Sequence, residues 1–156
     1  MGKEYYYVYC KNILGVKTNN KNFKWIYGNS APVNSYENFE HCLVKFECYV
    51  KPEKYLDNIE ECDKSFQSYS WNSKKKIITF RRKFFSLFNI GFNMQFNGNT
   101  VKVDIGKNYF KFIKNRTMNL HSFYYLLSDI ANILLLKNGY ITLYSSAICD
   151  VDTNNS

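Results

Sequence analysis

Nowhere in its 156 residues does this chain reach the roughly 18 consecutive apolar residues that a membrane-spanning helix needs. The longest apolar stretch, 130–136, is broken by Asn132, so a helical span is excluded. The opening residues, MGKEYYYVYCKN, hold no apolar core of the kind a secretory leader carries, and Tyr6 stands where an N-terminal acylation signal has Ser or Thr. Cysteine occurs as Cys10, Cys42, Cys48, Cys62 and Cys149, and never as a C-x-x-C pair. Only His41 and His121 could complete a soft ligand set. The nearest grouping, His41-Cys42 with Cys48, does not have the spacing of a zinc site. No metal is expected; the cysteines read as reduced thiols of a cytoplasmic protein, used as small apolar side chains. Proline is confined to Pro32 and Pro52, and there are no repeats or low-complexity tracts. With no linker to divide it, 1–156 is expected to be a single domain.

Catalytic signatures are missing as well. The chain has no G-x-x-x-x-G-K-[ST], G-x-G-x-x-G, H-E-x-x-H or G-x-S-x-G. Ser145-Ser146 has no evident general base, and Asp150 and Asp152 have no third acid with which to hold a divalent ion. No catalytic residue and no cofactor is therefore expected, and the protein reads as a non-enzyme.

What the chain does have is apolar bulk and localised charge. Apolar residues make up 46% and aromatic residues 19%, enough for a folded core and too much for a disordered chain. The formal net charge is +8, and its placement is uneven: residues 71–116 hold eleven Lys and Arg against one acid, Asp104, so the remainder is slightly acidic. A basic field of this kind attracts nucleic acid, a membrane surface or an acidic peptide. Part of the lysine and aromatic excess also fits an AT-rich coding sequence, which favours Asn, Lys, Tyr, Phe and Ile together. Within the basic segment, KKKIITFRRKFF mixes charges with rings. Strand alternation puts Ile77, Thr79 and Arg81 on one face and Ile78 and Phe80 on the other, so the phenylalanines read as core and the charges as an exposed edge. The expected partner-binding residues are Lys74, Lys75, Lys76, Arg81, Arg82 and Lys83.

Period-two patterning dominates most of the chain and predicts β structure. EYYYVYC (4–10) reads as a first strand, paired with 13–18 across Lys11-Asn12. Residues 29–38 are turn-rich and read as loop. LVKFECYV (43–50) alternates as a half-buried strand, and 53–66 reads as a short helix or an ordered loop. Residues 76–87 predict one or two strands. FNMQF (92–96) and TVKVDI (100–105) flank Asn97-Gly98-Asn99 and predict a tight hairpin, with Phe92, Met94 and Phe96 on the same side as Val101, Val103 and Ile105. Residues 109–113 are expected to extend the meander by a strand. The period then changes: Leu120, Phe123, Tyr124, Leu127, Ile130, Ala131 and Leu134 recur at three and four residues and predict a helix over 120–137, capped by Asn119 and closed by Gly139. A final strand over 140–148 follows. The expected class is α+β, an antiparallel β meander with one long C-terminal helix and a last strand.

The stretch LLSDIANILLLKNGYITLYSSAICD resembles the segment that precedes the phosphate loop of HPr kinase-like proteins. In that family a β-rich start leads to a helix, then to G-x-x-x-L-H-x-x-x-V, then to a Walker A loop. Gly139 and Leu143 match the glycine and leucine, Ile148 falls at the last apolar position, and Tyr144 replaces the histidine. YYYVYCKNILGVKTN is similar to the family's opening strands. The glycine loop and its lysine have no counterpart here, so no kinase residue carries over, and neither phosphoryl transfer nor any binding of ATP or GTP is expected. What the resemblance implies is a shortened relative kept without the enzyme.

These readings converge on a cytoplasmic, non-catalytic binding module for an acidic peptide or protein partner, accessory to a peptide-modifying or kinase-like system. Two alternatives stay open: a basic nucleic-acid-binding or phage-type inhibitor protein, and half of a split enzyme. No membrane partner is expected, and the oligomeric state is left open.

Overall fold

A computed structural model describes residues 3–25, 27, 32–56, 62–84, 87–115 and 122–142. Eight strands form one sheet: β1 (Tyr5–Tyr9), β2 (Leu14–Thr18), β3 (Val44–Lys51), β4 (Lys64–Phe66), β5 (Tyr69–Asn72), β6 (Ile77–Phe84), β7 (Phe88–Asn97) and β8 (Thr100–Gly106). Among the described residues three α-helices accompany them, α1 (Tyr36–Glu40), α2 (Lys107–Lys114) and α3 (Ser122–Lys137). The strand order is β1-β2-β3-β8-β7-β6-β5-β4.

The meander is present in part. Strands β4 to β8 follow one another antiparallel, and β1 pairs antiparallel with β2. Between these two units, β2, β3 and β8 run parallel, so the sheet is mixed. Local sequence predicts β1, β2, β3, β6, β7 and β8, but parallel pairing joins residues far apart in the chain and leaves no local mark.

Alternation assigns the two faces. Leu14, Val16, Val44, Phe46, Cys48, Val101, Val103, Ile105, Phe92 and Met94 are buried on one face. Helix α3 covers them with Phe123, Leu127, Ala131 and Leu135, also buried. The predicted hairpin turns through Gly98-Asn99, with Gly98 at φ 59°. Helix α3 ends as expected on Gly139 at φ 84°, where Tyr140 N–H reaches Leu135 C=O (3.0 Å) and Gly139 N–H reaches Leu136 C=O (3.0 Å).

Three expectations are corrected. Residues 109–113 are not a further strand; they lie in α2, burying Tyr109, Phe110 and Ile113. Residues 64–66, expected within a short helix or ordered loop, form strand β4, while 77–84 give one strand, β6, of the one or two expected. The loop expected over 29–38 contains the start of α1, which Ser35 caps by accepting Asn38 N–H (3.3 Å). The final strand is not seen at 140–142, and 143–148 lie outside the described residues, as do the capping Asn119, the serine pair Ser145-Ser146, Asp150 and Asp152.

The connection from β2 to β3 wraps the β1 end of the sheet. Phe23, Trp25 and Tyr27 lie in the helical core, where Trp25 Nε1–H donates to Ser128 Oγ (3.1 Å) and the Tyr27 hydroxyl to Asn132 Oδ1 (2.5 Å). Val33 then pairs with Val8 by two backbone hydrogen bonds (2.8 and 2.9 Å) along the outer edge of β1. On the opposite face Phe39 and Cys42 bury Val8 in a second small cluster. The β1 edge is thereby paired at Val8, and β4 forms the other edge.

Candidate binding surface

The six predicted residues do not form one patch. Lys74, Lys75 and Lys76 sit exposed in the turn from β5 to β6. Asn72 Oδ1 accepts Lys75 N–H (2.8 Å), and the Asp63 carboxylate accepts Ser73 N–H (2.5 Å) and the Ser73 hydroxyl. These bonds from Ser73 hold the Asp63 carboxyl below its usual range. Arg81, Arg82 and Lys83 lie at the far end of β6, about 20 Å away at the rise of an extended strand.

The three are also split between faces. Arg81 and Lys83 project opposite to the helices and Arg82 projects to the helical side, as the pairings Arg81 with Gly91 and Arg82 with Ile90 require. Arg82 and Lys83 are exposed. Arg81 is half-buried and already engaged: its guanidinium donates to Phe80 C=O (2.8 Å), Phe92 C=O (2.9 Å) and Asn93 Oδ1 (2.7 Å). It lies over Gly91, where an added Cβ would come within 2.3 Å of Phe80 O and 2.9 Å of the Arg81 side chain. Arg81 therefore joins β6 to β7 and is a poor candidate for an arriving partner.

Beside Arg81, the face opposite the helices carries a buried polar row, Thr79 on β6, Asn93 on β7 and Asp104 on β8, set side by side by register. Lys51 bridges to Asp104 (2.9 Å). Among the described residues Thr79 Oγ1 and Asp104 Oδ1 have no hydrogen-bond partner. The segment after β3 approaches this face, where Glu53 Oε1 and Leu56 Cδ1 lie against Gly106.

Sequence reading missed the aromatic row that leads out to β4. Register aligns Phe92, Phe80, Tyr69 and Phe66 on the helical face. Exposure rises along it from 1% and 8% to 43% and 73%. Phe92 and Phe80 stack at 5.3 Å, and Tyr69 meets Phe80 at 5.0 Å. Phe88, 49% exposed, and Arg82 lie on the same face. The pairing that makes this row is non-local, although the alternation of Tyr69, Trp71, Ile78 and Phe80 was a signal for it. Strand β4 terminates the sheet and all three of its residues are exposed. Residues 62–84 carry seven basic side chains and one acid, Asp63.

No group of three or more His, Cys, Asp or Glu could hold a metal among the described residues. Cys42 lies with Val8 and Phe39 on one face of the sheet and Cys48 in the helical core on the other, with His41 exposed. No helix of the described residues is long and apolar enough to cross a membrane. No protein-family model, curated protein or solved structure matches the chain.

Proposed function

We propose that the chain is a non-catalytic binding module that takes an extended, acidic segment of a peptide or protein against the β4 edge. The observation that carries this is the asymmetry of the sheet: Val33 pairs with the middle of the β1 edge at Val8, while β4 is terminal and all its residues are exposed. A terminal strand offers unpaired backbone groups to an added strand, and neighbouring side chains select it. Phe66 and Tyr69 supply apolar contact there, and exposed Lys64 on β4, with Arg82 and Lys83 on β6, favours a carboxylate-rich occupant. A second copy is disfavoured at this edge, because each β4 would bring its own Lys64 into the same basic field. The setting in a kinase-like or peptide-modifying system rests on the sequence resemblance alone.

A second reading has its own observation. Exposed Phe66, Tyr69 and Phe88 share a face with Arg82, and rings beside cations suit single-stranded nucleic acid. Fluorescence anisotropy separates the two, using a labelled peptide of alternating Glu and Val and a labelled oligothymidylate. The module binds the peptide saturably, and both Phe66→Ala and Arg82→Glu with Lys83→Glu weaken it. Tight, salt-sensitive binding of the oligonucleotide without the peptide would replace the first reading with the second; binding of neither would sink both.

A further inference from the structure

Strands β2, β3 and β8 run parallel and adjacent, so their carboxyl ends meet at one side of the sheet. Ligands in sheets with parallel strands bind beyond those ends. There the chain forms a cleft of about 420 Å³, within the range of small-molecule sites. One wall is the turn after β2, with Asn19, Asn20 and Asn22; the other is α2, with Lys107, Lys111 and Lys114. Phe110 and Pro52 add apolar lining, and among the described residues no carboxylate lines the cleft.

The lysines share a stripe because their spacing is i, i+4 and i+7, while Tyr109, Phe110 and Ile113 bury the other side of α2. The stripe spans about 10 Å of helix. All three lysines are exposed and none has an ion-pair partner among the described residues; the fourth lysine of the cleft, Lys51, is held by Asp104. The facing wall is fixed in place. Asn19 Nδ2 donates to Val50 C=O (3.0 Å) and its Oδ1 accepts Val50 N–H (2.8 Å), tying the turn to the end of β3. Asn20 Oδ1 accepts Asn22 N–H (3.0 Å), and Phe23, beyond the turn, stacks on Phe110 at 6.3 Å.

We propose that this cleft is an anion site for a small ligand bearing more than one phosphate group. Three ammoniums along one helix match charge spread over linked phosphates better than a single charge, and the amides of the facing wall supply neutral donors. The cradle is made of side chains, so it owes nothing to a glycine loop. It is distinct from the β4 edge, which lies five strand spacings, about 24 Å, across the sheet.

The test is titration calorimetry on the full chain with sodium tripolyphosphate at constant ionic strength, with citrate as the carboxylate counterpart. Tripolyphosphate binds saturably at one site, and citrate binds more weakly. Lys111→Gln with Lys114→Gln lowers affinity about tenfold, whereas Lys74→Gln with Lys75→Gln does not. Lys107→Gln alone provides a milder variant, and an unchanged thermal midpoint establishes that each variant is folded. The proposal is overturned if binding is absent, if citrate binds equally well, or if the turn variant loses as much as the cleft variant.

Discussion

Reversing Arg81 to glutamate would set a carboxylate against the carbonyl oxygens of Phe80 and Phe92 and the amide oxygen of Asn93. The expected cost is about 1–3 kcal/mol, the scale of leaving partly buried polar groups without donors. Arg82→Glu with Lys83→Glu removes no such contacts and should leave the urea midpoint near that of the parent. Strand alternation correctly put Arg81 on the face of Thr79, but nothing local in the sequence announced that its guanidinium would close over Gly91. The buried acids of the core make a second prediction. Burial pushes the Tyr124 hydroxyl up to about 12 from 10.0 and the Cys42 thiol up to about 11 from 9.0, and it raises Tyr9 and Tyr109 further in the same direction. These groups ionise sooner in the unfolded chain, so their contribution is full below about pH 9 and is lost as pH rises towards 12. Urea midpoints should hold from neutral pH to about pH 8.5 and fall beyond about pH 10; a midpoint that rises over that span would contradict the assigned burial.

At the level of elements, the long helix was legible because its apolar spacing changes period and Gly139 closes it. Leu127, fully buried in the middle of α3, tests that packing: Leu127→Ala should cost about 2–5 kcal/mol by thermal or urea unfolding. An unchanged melting temperature would mean that the stripe does not face the sheet. Helix α2 was misread for an equally physical reason. YFKFI is rich in the aromatic and β-branched residues of strands, and Gly106 at the N-cap gives no side-chain capping signal. The helix shows only in the longer pattern, Lys107, Lys111 and Lys114 against Tyr109, Phe110 and Ile113. The hairpin of β7 and β8 was readable from Asn97-Gly98-Asn99, whereas the parallel partnership of β8 with β3 joins residues more than fifty positions apart and had no local sign.

Over the whole molecule, the excess charge resolves into separate places: the β5–β6 turn, the far end of β6, and the exposed stripe of α2. Sequence reading found the first two because they are contiguous runs. It missed the cleft because Asn19 and Lys111 meet only once β2, β3 and β8 lie side by side, and it missed the β4 edge because a terminal position in a sheet is a property of topology. The β4 edge carries the proposed function. Its most direct test is amide NMR of the full, isotope-labelled chain titrated with the Glu-Val peptide, followed by hydrogen exchange. Added-strand binding predicts shifts concentrated at Lys64–Phe66 and its partner Tyr69–Asn72, with exchange of the β4 amides slowed in the complex. Shifts confined to the 73–76 turn or to the α2 cleft, with the β4 amides unmoved and unprotected, would contradict it.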